Sequence, residues 1–597
     1  MMSSIGPDKA TRHRLVSASM GQMPYDLLIT NICYLNMSTS EIYRADIGIV
    51  DGYIAYVSPP GMAGRLQGKT TYDGNGKYAL PGFIDTHVHI ESSMLTPANF
   101  ARQVLPSGTT TVLADPHEIC NVMGIEGMRY FHKASEGLPL DIFFAAPSCV
   151  PSVVGIETSH TCFGPDEIKQ MLDMPRVIAL GEVMDFVNVI NQEKRMWEIL
   201  EVAKNAGVLI QGHLSENTSH ELAAYLAAGC ISDHETRGYV EAMDKLRAGL
   251  TLECRFSSNC HNMPVIAKAL AQCAYPANAT ICTDDREPDD LIKEGHVDEV
   301  IRQAIYAGMP PIEAIRLATQ NAARFLGLHD RGLLTPGSIA NIVLTENLEK
   351  LRVDEVFIRG ELWAKGNALQ KEIVEPSNGI SGVNSVILKK KPEINDFLIP
   401  SRTANDVKVS LNYIRYNPED PFLTKPGTAD FPIKDGFADI CADDGFVTMC
   451  VFERHGVNGN FGIAPVENLG MKRGAVAGTV SHDCHNLFVI GTNPQDMLMA
   501  VNTLTEAGGG FCCIENGSVS ALLKLPICGL ISPKSADKIC VDIERLKKTL
   551  ASFGINAYSP LNLLTAFSLA VIPEIRLTDC GLINTGTQSI IPLYANE

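Results

Sequence analysis

Two histidines one residue apart, His87 and His89, close the run Leu80-Pro-Gly-Phe-Ile-Asp-Thr-His-Val-His-Ile-Glu91. In an extended strand, side chains at i and i+2 share a face, so both imidazoles can be offered to one ion. Imidazole suits zinc, iron, manganese and nickel alike, so the pair does not name a metal. Taken alone it equally suits two polar residues at a strand end, and its meaning depends on donors elsewhere. Further apolar runs end in Asp115-Pro-His117-Glu118, Glu182, His213, His234-Glu235 and Asp284-Asp285. His87, His89, Glu182, His213, His234 and Asp284 are the complement for two divalent ions sharing a bridging carboxylate. Such a pair lowers the pKa of a bound water towards 7, which is hydrolytic chemistry.

The elements that must hold these residues alternate in type. Strand candidates are Tyr78–His89, Thr109–Asp115, Asp141–Ala146, Val177–Glu182, Val208–His213, Cys230–His234, Leu250–Cys254 and Thr280–Asp284. Helix-compatible segments lie between them: Pro97–Leu105, Asn191–Asn205, Ser219–Ala228 and Pro264–Cys273. Eight strands alternating with helices predict a (β/α)8 barrel, whose strand ends converge on one mouth. An open doubly wound sheet is the structural alternative, weakened by the lack of a G-x-G-x-x-G after any strand. The expected fold class is α/β, with a flanking small β-sandwich domain and an additional C-terminal α/β domain. Residues 1–24 read as a loose arm. Strand-like runs in 25–79, with a hairpin signal at Asp51-Gly52, join those of 328–375 in the small domain. The barrel takes 80–327. A linker is expected over 375–384, and the C-terminal domain occupies 385–597.

Lys and Arg number 49 against 68 Asp and Glu, a formal net charge of −19. That balance argues against nucleic acid or an anionic membrane as partner. Seventeen scattered cysteines, with Cys512 and Cys513 adjacent, lack the spacing of a disulfide scaffold or zinc knuckle and read as reduced thiols. No stretch reads as a signal peptide or a membrane span, so a cytoplasmic location is expected.

The local strings resemble those of bacterial adenine deaminases, in the amidohydrolase superfamily. They are Pro81-Gly-Phe-Ile-Asp-Thr-His-Val-His-Ile-Glu-Ser-Ser, Asp115-Pro-His-Glu, Ser232-Asp-His-Glu, Cys282-Thr-Asp-Asp-Arg, Gly295-His296 and Val480-Ser-His-Asp-Cys-His-Asn486 followed by Gly508-Gly-Gly. The resemblance runs from about residue 25 to the end. It implies hydrolytic deamination of adenine to hypoxanthine and ammonia, serving purine salvage. Many binuclear members of the superfamily bridge their metals with a carboxylated lysine on strand four; the resemblance implies Glu182 in that place. Two divalent ions are expected, manganese or iron first and zinc as a further possibility, with a small purine as substrate and a homo-oligomer (a dimer) as the assembly.

Asp284 is the expected proton shuttle. Glu118, surplus to the ligand count, is the expected acid towards the ring. Asp115, His117, Glu235 and Asp285 stand beside the ligands, where they would orient them or meet substrate. His482 and His485 could bind another ion, line the mouth or hold a turn; a lid or domain-interface role is favoured. Two loops depart from the family's pattern: Leu214-Ser-Glu-Asn-Thr-Ser-His-Glu, and Glu253-Cys-Arg-Phe-Ser-Ser, where many relatives carry Arg-Glu-Gly-Ser. The alternatives are hydrolysis of an N6-substituted adenine or another cyclic amidine or amide at the same centre, and a metal- or purine-binding protein without catalysis.

Overall fold

The computed structural model describes residues 6–214, 219–376, 385–403, 405–418, 423–557 and 559–595. The eight barrel strands are short, buried apolar runs. They are β1 (Phe83–Val88), β2 (Thr109–Ala114), β3 (Asp141–Ala146), β4 (Val177–Val183), β5 (Leu209–Gly212), β6 (Ser232–Asp233), β7 (Thr251–Arg255) and β8 (Ala279–Cys282). All pair in parallel, as five strands in the order β5-β4-β3-β2-β1 and three in the order β6-β7-β8. Two seams join these sheets. The Ile231 N–H donates to Ile210 O at 3.2 Å, linking β5 to β6. Opposite, Asp284 N donates to His87 O at 3.0 Å and His89 N to Asp284 O at 3.1 Å, linking β8 to β1. The result is a TIM-barrel-like ring, with the polar strand-end residues gathered on one rim.

The apolar run Tyr78–His89 is not one strand. Tyr78–Pro81 pairs antiparallel with Ile342–Thr345 in a separate sheet, and β1 begins at Phe83. Gly82 is the joint: a Cβ there would lie 2.3 Å from Thr110 Oγ1, so the chain can cross between sheets only without a side chain. That second sheet has nine strands and mixes the N-terminal strands with those after the barrel. Its hairpin at Asp51-Gly52 has both residues at positive φ, 51° and 78°, the geometry of a two-residue primed turn. Arg359-Gly360 repeats it.

Several elements differ from the sequence-based expectation. The stretch read as a loose arm contains a helix, Lys9–Ser19, capped by Asp8 and packed through Leu15 and Ala18. The helix expected from Asn191 starts at Lys194, because Glu193 accepts the Met196 N–H and Gln192 lies in a turn at φ 61°. The strand expected over Cys230–His234 is only two residues long, Ser232–Asp233. Most of the expected linker, 377–384, and Ser215–Thr218 of the loop after β5 lie outside the described residues.

The C-terminal segment builds a second nine-stranded sheet, from Phe437–Ala438 at one edge to Ser518–Lys524 at the other. Helices Pro494–Ala507 and Ala536–Phe553 belong to it. Gly508-Gly509-Gly510 ends the first helix and allows close backbone approach: a Cβ on Gly510 would meet Leu523 O at 1.9 Å. This half docks on the barrel through a continuous buried core and a backbone bond from Ser532 N to Met94 O (2.9 Å). Among the described residues no helix is long and apolar enough to cross a membrane.

Candidate metal centre

Period-two geometry at the end of β1 puts the Nε2 atoms of His87 and His89 3.1 Å apart. Glu182, on β4, turns its two oxygens to different histidines. Its Oε1 is 3.1 Å from His89 Nε2 and 3.6 Å from His87 Nε2. Its Oε2 is 2.6 Å from His213 Nδ1 and 3.2 Å from His234 Nε2. Asp284 Oδ1 joins the first group, 3.2 Å from His89 and 3.5 Å from His87. The six predicted donors therefore converge in two groups that share one carboxylate.

These residues fit a divalent metal. His234 is almost fully buried, yet neither of its ring nitrogens has a hydrogen-bond partner, and His87 Nδ1 has none either. Leaving such groups unsatisfied costs about 1–3 kcal/mol each, which a cation between the donors would relieve. His89 Nδ1 lies 2.9 Å from the Asp115 carbonyl, so it donates there and leaves the Nε2 lone pair facing Glu182. Electrostatics agree. Burial opposes charge on His87, but Asp284 and Glu182 overcome it and lift the imidazole to about 10. Burial likewise opposes the Glu182 and Asp284 carboxylates. The charge of His234 pulls the first, and that of Arg255 the second, well below the usual carboxylate range. Two buried carboxylates here demand positive charge.

A second ring of residues sets these donors. Asp115 Oδ2 accepts from Glu182 N at 3.0 Å. Asp233 Oδ1 accepts from Leu214 N (2.7 Å) and Glu235 N (3.1 Å), the residues after His213 and His234. His117 Nδ1 is 3.5 Å from Glu182 Oε1, and its Nε2 is 3.7 Å from Asp483. Ser92 Oγ lies 2.9 Å from Glu118 Oε1 and 2.5 Å from Asp285 Oδ1. One hydroxyl proton cannot serve both carboxylates at once. Burial raises the Glu118 carboxyl, with His482 pulling the other way.

The C-terminal turn reaches the same place. His482 Nδ1 is 3.6 Å from Glu118 Oε1, and His485 Nε2 is 3.8 Å from Glu118 Oε2. His485 Nδ1 accepts the Ser481 N–H at 3.1 Å, which places its proton on Nε2 and leaves no lone pair there for an ion. Arg454 fixes the turn by donating to the carbonyls of His485, Thr479 and Cys528.

Above the donors lies a small pocket of about 60 Å³. Its walls combine strand-end residues with Asn562, Thr565, Ala566, Leu569 and Ile572 of the C-terminal half. Sequence reasoning missed these, since contacts across hundreds of residues leave no local pattern. It also gave no role to Arg255, whose Nη1 is 2.5 Å from both Asp284 Oδ2 and Glu235 Oε1. A cation at the end of a barrel strand was the available signal.

Comparison with known proteins places this site in a family. Residues 78–363 match the amidohydrolase family and residues 421–589 the adenine deaminase C-terminal domain. The chain is 38% identical over 583 residues to adenine deaminase 2 of Carboxydothermus hydrogenoformans, covering 97% of this chain and 99% of that one. The chain belongs to the adenine deaminase family. Adenine deaminases of Serratia proteamaculans (37%) and Clostridium botulinum (35%) match as fully, over 98% of this chain and 97% of theirs. The chain is a hydrolase of the adenine deaminase type, and family and donor set together support a divalent metal cofactor. The adenine deaminase C-terminal match spans the turn carrying His482 and His485 and the pocket wall from Asn562 to Ile572.

Proposed function

We propose that this protein hydrolyses adenine to hypoxanthine and ammonia, a purine-salvage reaction, at a pair of divalent ions. The observation that carries the reading is the division of Glu182, one oxygen to His87 and His89 and the other to His213 and His234. His87, His89 and Asp284 would hold one ion, His213 and His234 the other, with Glu182 between them. Imidazole with carboxylate suits manganese or iron, and zinc as well. When bound, the ions supply a water acidic enough to act as nucleophile near neutral pH.

The remaining chemistry falls to side chains. The water oxygen bonds to C6 while its proton passes to Asp284. Charge that builds on N1 is met by a proton from Glu118, which the shared Ser92 hydroxyl and burial favour in the acid form. Asp284 then returns its proton to the amino group, the C6–N bond breaks, ammonia leaves, and the proton remaining on the new C6 oxygen is released to restore the acid form of Glu118. Asp115 holds Glu182 in place through its backbone N–H.

The test is to supply purified protein with manganese or iron, add adenine, and follow hypoxanthine and ammonia. Stoichiometric appearance of both is expected. No turnover with any of manganese, iron or zinc refutes the reading. Preferential release of methylamine from N6-methyladenine would move it to the N6-substituted purines.

A further inference from the structure

The helix Pro560–Ala566 forms part of the pocket wall that the C-terminal half supplies, and it is tied down at both ends. Ahead of it, Ser559 Oγ donates to Glu287 Oε1 at 2.6 Å. Glu287, in the loop after β8, is in turn paired with Lys547 of the helix Ala536–Phe553. Near its other end, the His482 N–H donates to Thr565 O at 3.2 Å. This wall is therefore held against both the barrel and the turn beside Glu118. Most of it offers only carbon: Ala566, Leu569 and Ile572 are apolar, and the Thr565 hydroxyl is engaged with Asn562 O at 2.9 Å. Asn562 is different. Its Nδ2 is buried, and among the described residues it has no hydrogen-bond partner. A buried N–H group without an acceptor is unfavourable, and an acceptor on a bound molecule relieves it.

We propose that Asn562 is a specificity residue for the purine, its side-chain amide donating to ring nitrogen N3. The inference rests on the deaminase reading and deepens it by naming the contact that selects the ring. In that reading C6 lies against the metal donors and N1 against Glu118. N3 is the ring position diametrically opposite C6, so the edge bearing N3 and N9 points away from the barrel rim, towards the C-terminal wall. N3 carries a lone pair and no hydrogen, so it calls for a donor, which an ionised carboxylate cannot be. Free adenine also carries a hydrogen on N9, beside N3. A planar amide presents a donor and an acceptor side by side and matches that edge as one unit. N3 makes and breaks no bond during attack at C6. The contact therefore holds substrate and transition state equally, and acts on KM rather than kcat.

Wild type, Asn562→Ala and Asn562→Asp are compared for kcat and KM on adenine, for bound metal, and for inhibition by 3-deazaadenine, in which C–H replaces N3. Asn562→Ala is expected to raise KM for adenine about 10–100-fold, with kcat and bound metal within about threefold of wild type. Asn562→Asp keeps the shape but offers acceptors only, and should raise KM at least as far. 3-Deazaadenine should bind wild type about 10–100-fold more weakly than adenine, and Asn562→Ala should change its inhibition constant less than about threefold, since the partner atom is already gone. KM for adenine within about threefold of wild type in both variants overturns the proposal. So does an equal loss of affinity for adenine and 3-deazaadenine in Asn562→Ala, which would make the residue a support for the wall alone. A wild-type protein that neither binds nor deaminates adenine refutes the deaminase reading instead, so the two failures are distinct.

Discussion

Replacing Asp233 by Asn should loosen one half of the donor set and leave the other in place. Asp233 is fully buried, and Oδ1 takes the backbone N–H groups just after His213 and His234. Oδ2 takes the Thr236 hydroxyl at 2.6 Å and Lys245 Nζ at 2.8 Å. Asparagine keeps one acceptor and turns two N–H groups on the lysine and hydroxyl. Breaking a buried ion pair costs about 3–5 kcal/mol. The low end applies, because Lys245 keeps Glu241 at 2.6 Å. About 3 kcal/mol corresponds to about 150-fold in local opening, read as amide exchange in the segments around β5 and β6. In the proposed two-ion site, an ion held by His213 and His234 should bind about 10–100-fold more weakly while one held by His87 and His89 keeps its affinity. Burial opposes the Asp233 carboxylate, but Lys245 holds it well below the usual range. Its stabilisation is thus complete above an unfolded value of about 4 and is lost as pH falls through the folded one. The gap between wild type and variant should therefore narrow below about pH 4. Unchanged exchange together with two ions of wild-type affinity would refute the reasoning.

Glu118→Gln should cut kcat about 10²–10⁴-fold with metal content unchanged, measured by steady-state turnover and elemental analysis. Loss of metal in that variant would reassign Glu118 to the donor set. Asp284→Asn should abolish turnover while most of the metal stays bound, because four histidines and Glu182 remain; surviving activity would rule out the proton-shuttle role.

Much of the donor set was legible because its geometry is local. His87 and His89 obey the two-residue period of a strand, and a barrel sends every strand end to one rim, so apolar runs ending in Glu182, His213, His234 and Asp284 announce a common site. The boundaries were less legible. Tyr78–Ile84 is continuously apolar because both sheets it serves are buried, and only the clash a side chain at Gly82 would make with Thr110 marks the joint. The helix Lys9–Ser19 escaped notice because it buries little more than Leu15 and Ala18, too few for an apolar face. Arg255 carried no role because its meaning lies in Glu235 and Asp284, on different loops. The wall from Asn562 to Ile572 depends on how two halves of the chain dock, which no local pattern records.

The bridging position proposed for Glu182 follows from backbone placement as much as from the residue itself. A carboxylated lysine is long and could span two donor groups from a strand set further back; a glutamate must start closer. Asp115 reaches past the end of β3 to accept the Glu182 N–H, and it lies directly against the Gly181 backbone. A Cβ on Gly181 would fall 2.2 Å from Asp115 Oδ2. Any other residue at 181 would push Asp115 off the Glu182 amide. Asp115 and Gly181 thus fix the point from which a short carboxylate reaches His89 with one oxygen and His213 with the other. The motif Asp115-Pro-His-Glu accordingly works in two directions: its aspartate sets the bridge between the donor groups, and its glutamate faces the pocket.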